Sequence, residues 1–291
     1  MKRIFAAVLM TLTIAALSMS CSQQQGLYPR QKKSVRIVSY NVGIFGKWDL
    51  SSEAYTAGLM HELNPDVIAL QELDSCTTRK GVDLYQARKF AEEMGPQWDF
   101  TYASALESYK DGSYGIGLVW NTDARNAVKT FKVMLPKGEA TETRALDVVE
   151  YEDMVVASTH LNGHASSLQP SVEIITDTMK GLYGTSDKPV FLCGDFNAYP
   201  ESQTIAYCRE NWDVLTDVSK TTYPRWKEVK AMETKPQTIE TTPGNCIDFI
   251  MLLKNGVAYE VTATDTCIPF ETGDVFSSSD HLPVYVDVMF K

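Results

Sequence analysis

The most constraining feature of this sequence is a series of short apolar runs that each end in a polar residue suited to catalysis. The runs and their polar ends are Val35–Tyr40 with Asn41, Val67–Leu70 with Gln71 and Glu72, Val155–Thr159 with His160, and Val190–Gly194 with Asp195 and Asn197. Short apolar runs are typical of buried strands, and ligands in α/β architectures bind beyond strand ends. We therefore expect these polar residues to lie close together.

The remaining pattern predicts a mixed α/β fold. Further strands are predicted over Gly115–Trp120, Val128–Met134, Arg144–Glu150, Ile247–Leu253, Tyr259–Ala263 and Leu282–Met289, and helices over Glu53–Leu63, Leu84–Met94, Ser171–Leu182 and Ser202–Arg209. No repeat or linker interrupts Ser34–Lys291, which indicates one domain with much antiparallel pairing. The stretch Thr221–Asn245 has no clear period, and its three prolines indicate a long surface loop near the site.

The first residues have the pattern of an export signal. Lys2 and Arg3 precede an apolar stretch, Ile4–Leu17, in the order of a secretory signal. The small residues before Cys21 resemble a lipoprotein signal, in which that cysteine is lipidated; a plain cleaved signal is the alternative. We interpret residues 1–21 as the signal, 22–33 as a tether and 34–291 as the catalytic domain. The expected location is the cell envelope, either lipid-anchored or periplasmic or extracellular.

Five cysteines follow Cys21, and an odd number cannot all pair. Export makes a disulfide plausible, and Cys246 and Cys267 flank a predicted hairpin around Asn255 and Gly256, so they are a candidate pair. No CxxC motif is present, which argues against a zinc site built on cysteine.

Composition limits the classes of function. Hydrophobic residues make up 44% of the chain, which excludes a mostly disordered protein. The formal charge is 27 − 37 = −10, so nucleic-acid binding would need a local basic groove, and no basic run with interleaved aromatics appears. We interpret Trp48, Tyr109, Tyr114 and Trp226 as packing and loop support, with both tryptophans in loops that could border a cleft.

The polar residues at the strand ends offer the functional groups that phosphate-ester hydrolysis needs. Asp248 and the pair Asp280-His281 join them. Several carboxylates in one pocket need a counter-charge, because each like charge raises the pKa of the others. Oxygen ligands from Glu72, Asn41 and Asp280 suit Mg²⁺ or Mn²⁺. Asp195 can then activate water, while an imidazolium at His281 meets the developing negative charge.

Six motifs in order resemble the endonuclease/exonuclease/phosphatase family, which has the deoxyribonuclease I-like fold. They are Ser39-Tyr40-Asn41, Gln71-Glu72, Thr159-His160-Leu161, Gly194-Asp195-Phe196-Asn197, Ile247-Asp248-Phe249 and Ser279-Asp280-His281-Leu282-Pro283-Val284. The resemblance spans nearly the entire chain after the signal. It implies a four-layer α/β sandwich of two packed, mostly antiparallel sheets flanked by helices.

The resemblance also implies roles for individual residues. Glu72 would be the principal metal ligand, with Asn41 beside it and Asp280 in or near the metal shell. Asp195 would activate water, Asn197 would position the phosphate, and Asp248 would orient His281. The residues expected to hold phosphate oxygens are His160, His281 and, by a looser likeness, Arg144. One ion is expected, and a second stays open because Gly43 lies where some members carry another acid.

These observations predict an exported, divalent-metal-dependent phosphoester hydrolase that acts on a lipid headgroup or small phosphodiester. The alternatives are an extracytoplasmic nuclease on DNA or RNA, and a non-catalytic binding protein on the same fold. The expected partners are the phosphoester and, through Cys21, the membrane; no obligate protein partner is evident. A serine hydrolase is disfavoured because no Gly-x-Ser-x-Gly elbow is present.

Overall fold

A computed structural model describes residues 26–291. The strands are β1 (Val35–Asn41), β2 (Val67–Ser75), β3 (Trp98–Tyr109), β4 (Gly112–Asn121), β5 (Ala127–Leu135), β6 (Arg144–Tyr151), β7 (Val155–His160), β8 (Val190–Asp195), β9 (Trp212–Val214), β10 (Tyr223–Pro224), β11 (Gly244–Asn245), β12 (Asp248–Leu253), β13 (Tyr259–Thr266) and β14 (Val284–Phe290). The α-helices are α1 (Glu53–Leu63), α2 (Gln86–Met94), α3 (Ala165–Tyr183), α4 (Gln203–Asn211) and α5 (Trp226–Ala231). Short 3-10 helices cover Gly43–Phe45, Ile239–Thr241 and Val275–Ser277.

Two six-stranded sheets form the centre of the molecule. The first has the order β13-β14-β1-β2-β4-β3 and the second the order β5-β6-β7-β8-β12-β9. Within each, one central pair is parallel, β1 with β2 and β7 with β8, and the other pairs are antiparallel. Parallel neighbours need a crossover, which α1 supplies in the first sheet and α3 in the second.

The alternation of side chains along the strands builds three apolar layers. Ile37, Val67 and Phe191 lie in the layer between the two sheets. Val38 and Ile68, one position further along their strands, pack instead with α1 and α2 on the outer face of the first sheet. The outer face of the second sheet packs on α3 and α4. The chain is therefore a four-layer α/β sandwich, which confirms the predicted fold class.

Several element predictions need correction. The strand β3 was missed because it lies at a sheet edge and its half-exposed residues give no continuous apolar run. Helix α3 begins at Ala165 rather than Ser171, because the side chain of His164 caps it. The predicted loop Thr221–Asn245 contains α5 and the two strands of a small separate sheet, β10 and β11.

The packed domain begins before Ser34, which shortens the expected tether over residues 22–33. Tyr28 is buried in the apolar layer on the outer face of the first sheet, and its hydroxyl donates to the carbonyl of Pro269 at 2.9 Å. The buried guanidinium of Arg36 donates to the carbonyls of Tyr28 and Pro29 at 3.0 and 3.3 Å. The signal segment and Cys21 lie outside the described residues. Among residues 26–291, none of the helices combines the length and apolar character needed to cross a membrane.

The candidate disulfide between Cys246 and Cys267 is absent. The five cysteines of the described chain are all free thiols. Cys246 packs among the side chains beneath α3 and α4, whereas Cys267 belongs to the cluster on the outer face of the other sheet. The two thiols thus lie in different apolar layers, and proximity to one predicted hairpin in the sequence did not bring them together.

Candidate active site

Strand pairing brings the predicted polar residues together at one end of the two sheets. In the first sheet, Asn41 pairs with Gln71 at the end of β1. In the second, Asp195 is flanked by His160 on β7 and Asp248 on β12. An irregularity in the β2–β4 register lies between Leu70 and Leu73, and Glu72 within it has a left-handed φ of 57°. Such backbone conformations concentrate at functional sites, where the surrounding structure holds them.

The side-chain amide of Asn41 connects the two sheets. Its Nδ2 donates to Asp195 Oδ2 at 3.0 Å and to Glu72 Oε1 at 3.2 Å. Its oxygen accepts from the backbone N–H of Gly43 at 3.1 Å. In this arrangement Asn41 presents donors rather than an oxygen to the carboxylates, so it orients them instead of adding a ligand atom.

Glu72 and Asp280 converge on a positive charge that the sequence analysis missed. The ammonium of Lys47 lies 3.0 Å from Asp280 Oδ2 and 3.8 Å from Glu72 Oε2. Burial lowers the pKa of Lys47, but the two carboxylates raise it more, so the side chain is charged. The need for a counter-charge was evident from the carboxylates, yet no pattern in the loop after Asn41 distinguished this lysine.

Asp195 is a buried carboxylate that only neutral groups hold by hydrogen bonds. The backbone N–H of Asn197 donates to its Oδ1 at 2.9 Å, and Asn41 donates to its Oδ2. The Nε2 atoms of His160 and His281 lie 3.5 and 3.6 Å from Oδ2. Burial is the largest influence and raises the pKa of Asp195 to about 7. A carboxylate of that pKa can accept a proton near neutral pH.

The two histidines have opposite electrostatic surroundings. Burial lowers the pKa of His281, but Asp248 and Asp195 raise it to about 10; Nδ1 lies 2.9 Å from Asp248 Oδ2. Burial and then the charge of Arg144 lower the pKa of His160 well below its ordinary value. His281 is therefore an imidazolium and His160 a neutral imidazole at neutral pH.

Asp248 and His160 each have a further defining contact. The hydroxyl of Thr222 donates to Asp248 Oδ2 at 2.6 Å, which fixes the carboxylate that faces His281. Nε2 of His160 lies 3.1 Å from Nδ2 of Asn197, whose amide can only donate, so Nε2 accepts and Nδ1 carries the proton. That Nδ1 is buried without a partner among the described residues.

Arg144 lies at the start of β6, beside the strand that ends in His160. Its guanidinium is 3.2 Å from Glu142, and its charge is felt at His160. The structure therefore brings all the sequence-predicted residues to one region: Asn41, Glu72, Arg144, His160, Asp195, Asn197, Asp248, Asp280 and His281. Besides Lys47, sequence reasoning missed Thr222 and Tyr223, whose ring lies 4.8 Å from that of His281; both are in the stretch without a period.

Two groups of side chains offer ligands to a divalent cation. Asp195, Asp248 and His281 have ligand atoms within 4.8 Å of one another. That group already contains a positive imidazolium, which repels a metal ion and lacks a free lone pair for it. Glu72 and Asp280 are more exposed and offer carboxylate oxygens, so they fit a hard divalent ion better once the Lys47 ammonium moves away.

The fold has several counterparts among solved structures. A protein of Bacteroides vulgatus described as an endonuclease/exonuclease/phosphatase is 15% identical, with a TM-score of 0.68 over 89% of this chain and 100% of that one. A mannosyl-6-phosphatase of Bacteroides thetaiotaomicron is 17% identical, with a TM-score of 0.66 over 88% and 100%. The human Nocturnin catalytic domain, with bound sulfate, is 15% identical, with a TM-score of 0.59 over 90% and 96%. These similarities define the fold class as deoxyribonuclease I-like.

The sequence itself matches the profile of one protein family. The profile of the Endonuclease/Exonuclease/phosphatase family matches residues 38–281, which spans the site from β1 to His281. The chain belongs to this family, whose members are usually phosphoester hydrolases that depend on a divalent metal. No curated protein sequence matches the chain.

Proposed function

We propose that this protein is an exported, Mg²⁺- or Mn²⁺-dependent hydrolase of small phosphodiesters or lipid headgroups. The observation that carries the proposal is the position of Asp195. Its carboxylate lies between one charged and one neutral imidazole, and Asn41 joins it to Glu72. This places a base, a cationic donor and a candidate metal ligand around one small space. Export rests on the segment after Lys2 and Arg3, outside the described residues.

Glu72 and Asp280 are the residues that would hold the metal, with Asn41 orienting Glu72. A bound divalent ion would neutralise charge on the phosphate and assist formation of the nucleophile. One ion is expected rather than two, because Gly43 offers no carboxylate where some family members carry a second acid. Lys47 occupies the approach to the two carboxylates and would move aside when they bind the ion.

Asp195 accepts a proton from the attacking water in this proposal. Its pKa near 7 means that much of the carboxylate is ionised at neutral pH and still basic enough for the transfer. The backbone N–H of Asn197 and the amide of Asn41 fix the orientation of the carboxylate. The left-handed φ of 47° at Asn197 turns its side chain toward His160.

The remaining side chains lie on different sides of the phosphate. His281 can donate its Nε2 proton to a phosphoryl oxygen or to the leaving oxygen, while Asp248 balances its charge. Arg144 lines the other side and supplies a charged donor, while the neutral His160 and the Asn197 that bonds to it complete the wall. Together they stabilise the negative charge that grows on the phosphate during attack.

Two alternatives are less well supported. A nuclease must bind a polyanion, and the chain has a net charge of −10 with no basic run beside aromatic residues. A non-catalytic binding protein would not need a base, an oriented imidazolium and a cation site in one place, yet all these side chains are present.

The first experiment is a substrate panel assayed with Mg²⁺ and with chelator: plasmid DNA, RNA, bis(p-nitrophenyl) phosphate, sphingomyelin and phosphoinositides. We expect metal-dependent cleavage of the small or lipid substrates, and loss of several orders of magnitude in Asp195→Asn. The matched control is Asp187→Asn, an exposed carboxylate in the loop before β8, at the opposite end of that strand from Asp195. Near-normal activity in a folded Asp195→Asn protein contradicts the mechanism, and cleavage confined to DNA or RNA favours the nuclease.

A further inference from the structure

A pocket of about 400 Å³ opens beside Asp280 and is not used by the chemistry described above. We call it the tryptophan pocket and define it by Lys47, Trp48, Trp226, Lys230, Lys235 and Phe276. Its size falls within the range of small-molecule sites in proteins. Lys47 lines this pocket and also pairs with Asp280 of the candidate metal site. The pocket and the candidate metal site are therefore neighbours that share this side chain.

Both tryptophans of the pocket are hydrogen-bonded to the segment that carries Asp280 and His281. The indole N–H of Trp48 donates to the carbonyl of Ser279 at 3.1 Å, and that of Trp226 donates to the carbonyl of Asp280 at 2.6 Å. The two rings lie 5.1 Å apart, and Trp226 also packs edge-on against Phe276. Because both indoles are held this way, a ligand in the pocket would be positioned relative to His281.

The charge of the pocket favours an anion. Lys47 is paired with Asp280, and Lys235 with Asp274 at 2.5 Å. Lys230 forms no ion pair among residues 26–291, and its ammonium lies 3.5 Å from the centre of the Trp48 ring. Asp49 is the one acid that also lines the pocket. The Lys230 ammonium is therefore a local positive charge in a chain with a net charge of −10.

We propose that the tryptophan pocket binds the organic group of the substrate together with a second anionic group on it. The ring of that group packs against the indoles, and a second phosphate bonds to Lys230. The substrate class is then a small, ring-bearing phosphoester that carries another phosphate. This inference rests on the proposed function, because it assumes that the first phosphate lies at Asp195.

The test compares ligands that differ by one phosphate. Glucose 6-phosphate and glucose 1,6-bisphosphate form one pair, and adenosine 5′-monophosphate and adenosine 3′,5′-bisphosphate form the other. Binding is measured by calorimetry and by tryptophan fluorescence, with Mg²⁺, in an Asp195→Asn background that prevents turnover. We expect the bisphosphate of at least one pair to bind about tenfold more tightly, as one charge-assisted hydrogen bond permits. The pair with the larger preference identifies a sugar or a nucleoside ring.

Lys230→Met should remove this preference and leave the affinity for the monophosphate nearly unchanged. Lys227→Met is the matched control, since Lys227 is exposed on the same helix but does not line the pocket, and it should keep the preference. Equal binding of mono- and bisphosphates in both pairs, or a preference that survives Lys230→Met, overturns the proposal.

The outcome is separable from that of the proposed function. If the wild-type protein hydrolyses nothing in the substrate panel while the Lys230-dependent preference persists, the tryptophan pocket stands and the hydrolase assignment fails. If hydrolysis is found and no preference exists, the hydrolase stands and the pocket inference fails.

Discussion

At the scale of residues, the site separates two pairs of chemically identical groups by their surroundings. Asp195 and Asp248 are both buried, but Asp248 faces an imidazolium and a hydroxyl, whereas Asp195 receives hydrogen bonds only from neutral amides. His160 and His281 differ in the same way, since only His281 has a bonded carboxylate. Environments that push the pKa values of like groups apart assign the acid and the base.

These pKa values predict a bell-shaped dependence of activity on pH. Activity should rise as Asp195 loses its proton near pH 7 and fall as His281 loses its proton near pH 10. Asp248→Asn removes the charge that raises the pKa of His281, so the alkaline limb should move to lower pH by at least about one unit. The measurement is kcat/KM across the pH range for wild type, Asp248→Asn and Asp187→Asn. An alkaline limb that stays in place in a folded Asp248→Asn protein would contradict the role given to this pair.

Sequence motifs predicted the side chains at the strand ends of the candidate site better than those that contact them from loops. Asn41, His160 and Asp195 each end an apolar strand, so their position follows from a short-range pattern. Lys47 and Thr222 lie in loops without periodicity, and only the packing of distant segments brings them to Asp280 and Asp248. Their contributions depend on tertiary contacts that no local pattern encodes.

At the scale of elements, the parallel pair β7–β8 places Asp195, the proposed base, opposite a histidine. Thr159 is the partner of Gly194, and His160 is the partner of Asp195. A Cβ at Gly194 would collide with the backbone carbonyl oxygen of Thr159, so glycine allows these strands to approach closely just before their catalytic ends.

Gly194→Ala should therefore destabilise the fold by roughly 2–4 kcal/mol and reduce activity more than its loss of stability explains. Gly181→Ala is the control: this glycine lies in helix α3, and a Cβ there meets nothing within 4 Å. It should stabilise the protein by about 0.5–1 kcal/mol. Urea denaturation measures both effects. A Gly194→Ala protein as stable as wild type would mean that the strand spacing is adjustable.

Element boundaries show where local signals suffice. Helix α1 was predicted with its observed bounds because Ser52 caps its start and Asn64, with φ of 49°, ends it before Pro65. Strand β3 pairs with β4 at the edge of the first sheet and has no continuous apolar run. Its sequence does alternate, because Trp98, Phe100 and Tyr102 pack on the core and Asp99 and Thr101 lie between them, so a search for period two rather than for apolar runs would have found it.

At the scale of the whole molecule, the packing of the two sheets encloses a titratable group. Asp147 on β6 is 3% exposed, and its Oδ2 accepts from the hydroxyl of Thr101 on β3 at 2.6 Å. Burial raises the pKa of Asp147 to about 7, against weaker lowering effects from Thr101, the backbone of Val148 and Lys132. The packed state therefore retains a proton that the unfolded chain releases near pH 4.

This group should make stability fall as pH rises from about 4 to about 7 and level off above that range, because the folded state binds the extra proton. Asp147→Asn should match wild type at low pH and exceed it by roughly 2–4 kcal/mol above pH 7. Urea denaturation at several pH values tests this, with the exposed Asp99→Asn on β3 as control. If the difference between wild type and Asp147→Asn is independent of pH, Asp147 is ionised in the folded protein.

The hydrogen bond from Asn41 to Asp195 joins strands of different sheets, so the candidate site exists only while those sheets are packed. A ligand that contacts both sheets binds only the packed state. At a concentration of a hundred times its Kd, it stabilises the folded protein by about 2.7 kcal/mol. Substitutions deep between the sheets, far from any substrate atom, should therefore lower the fraction of chains that can bind a ligand as well as the melting temperature. Such a ligand should in turn raise the melting temperature of these variants.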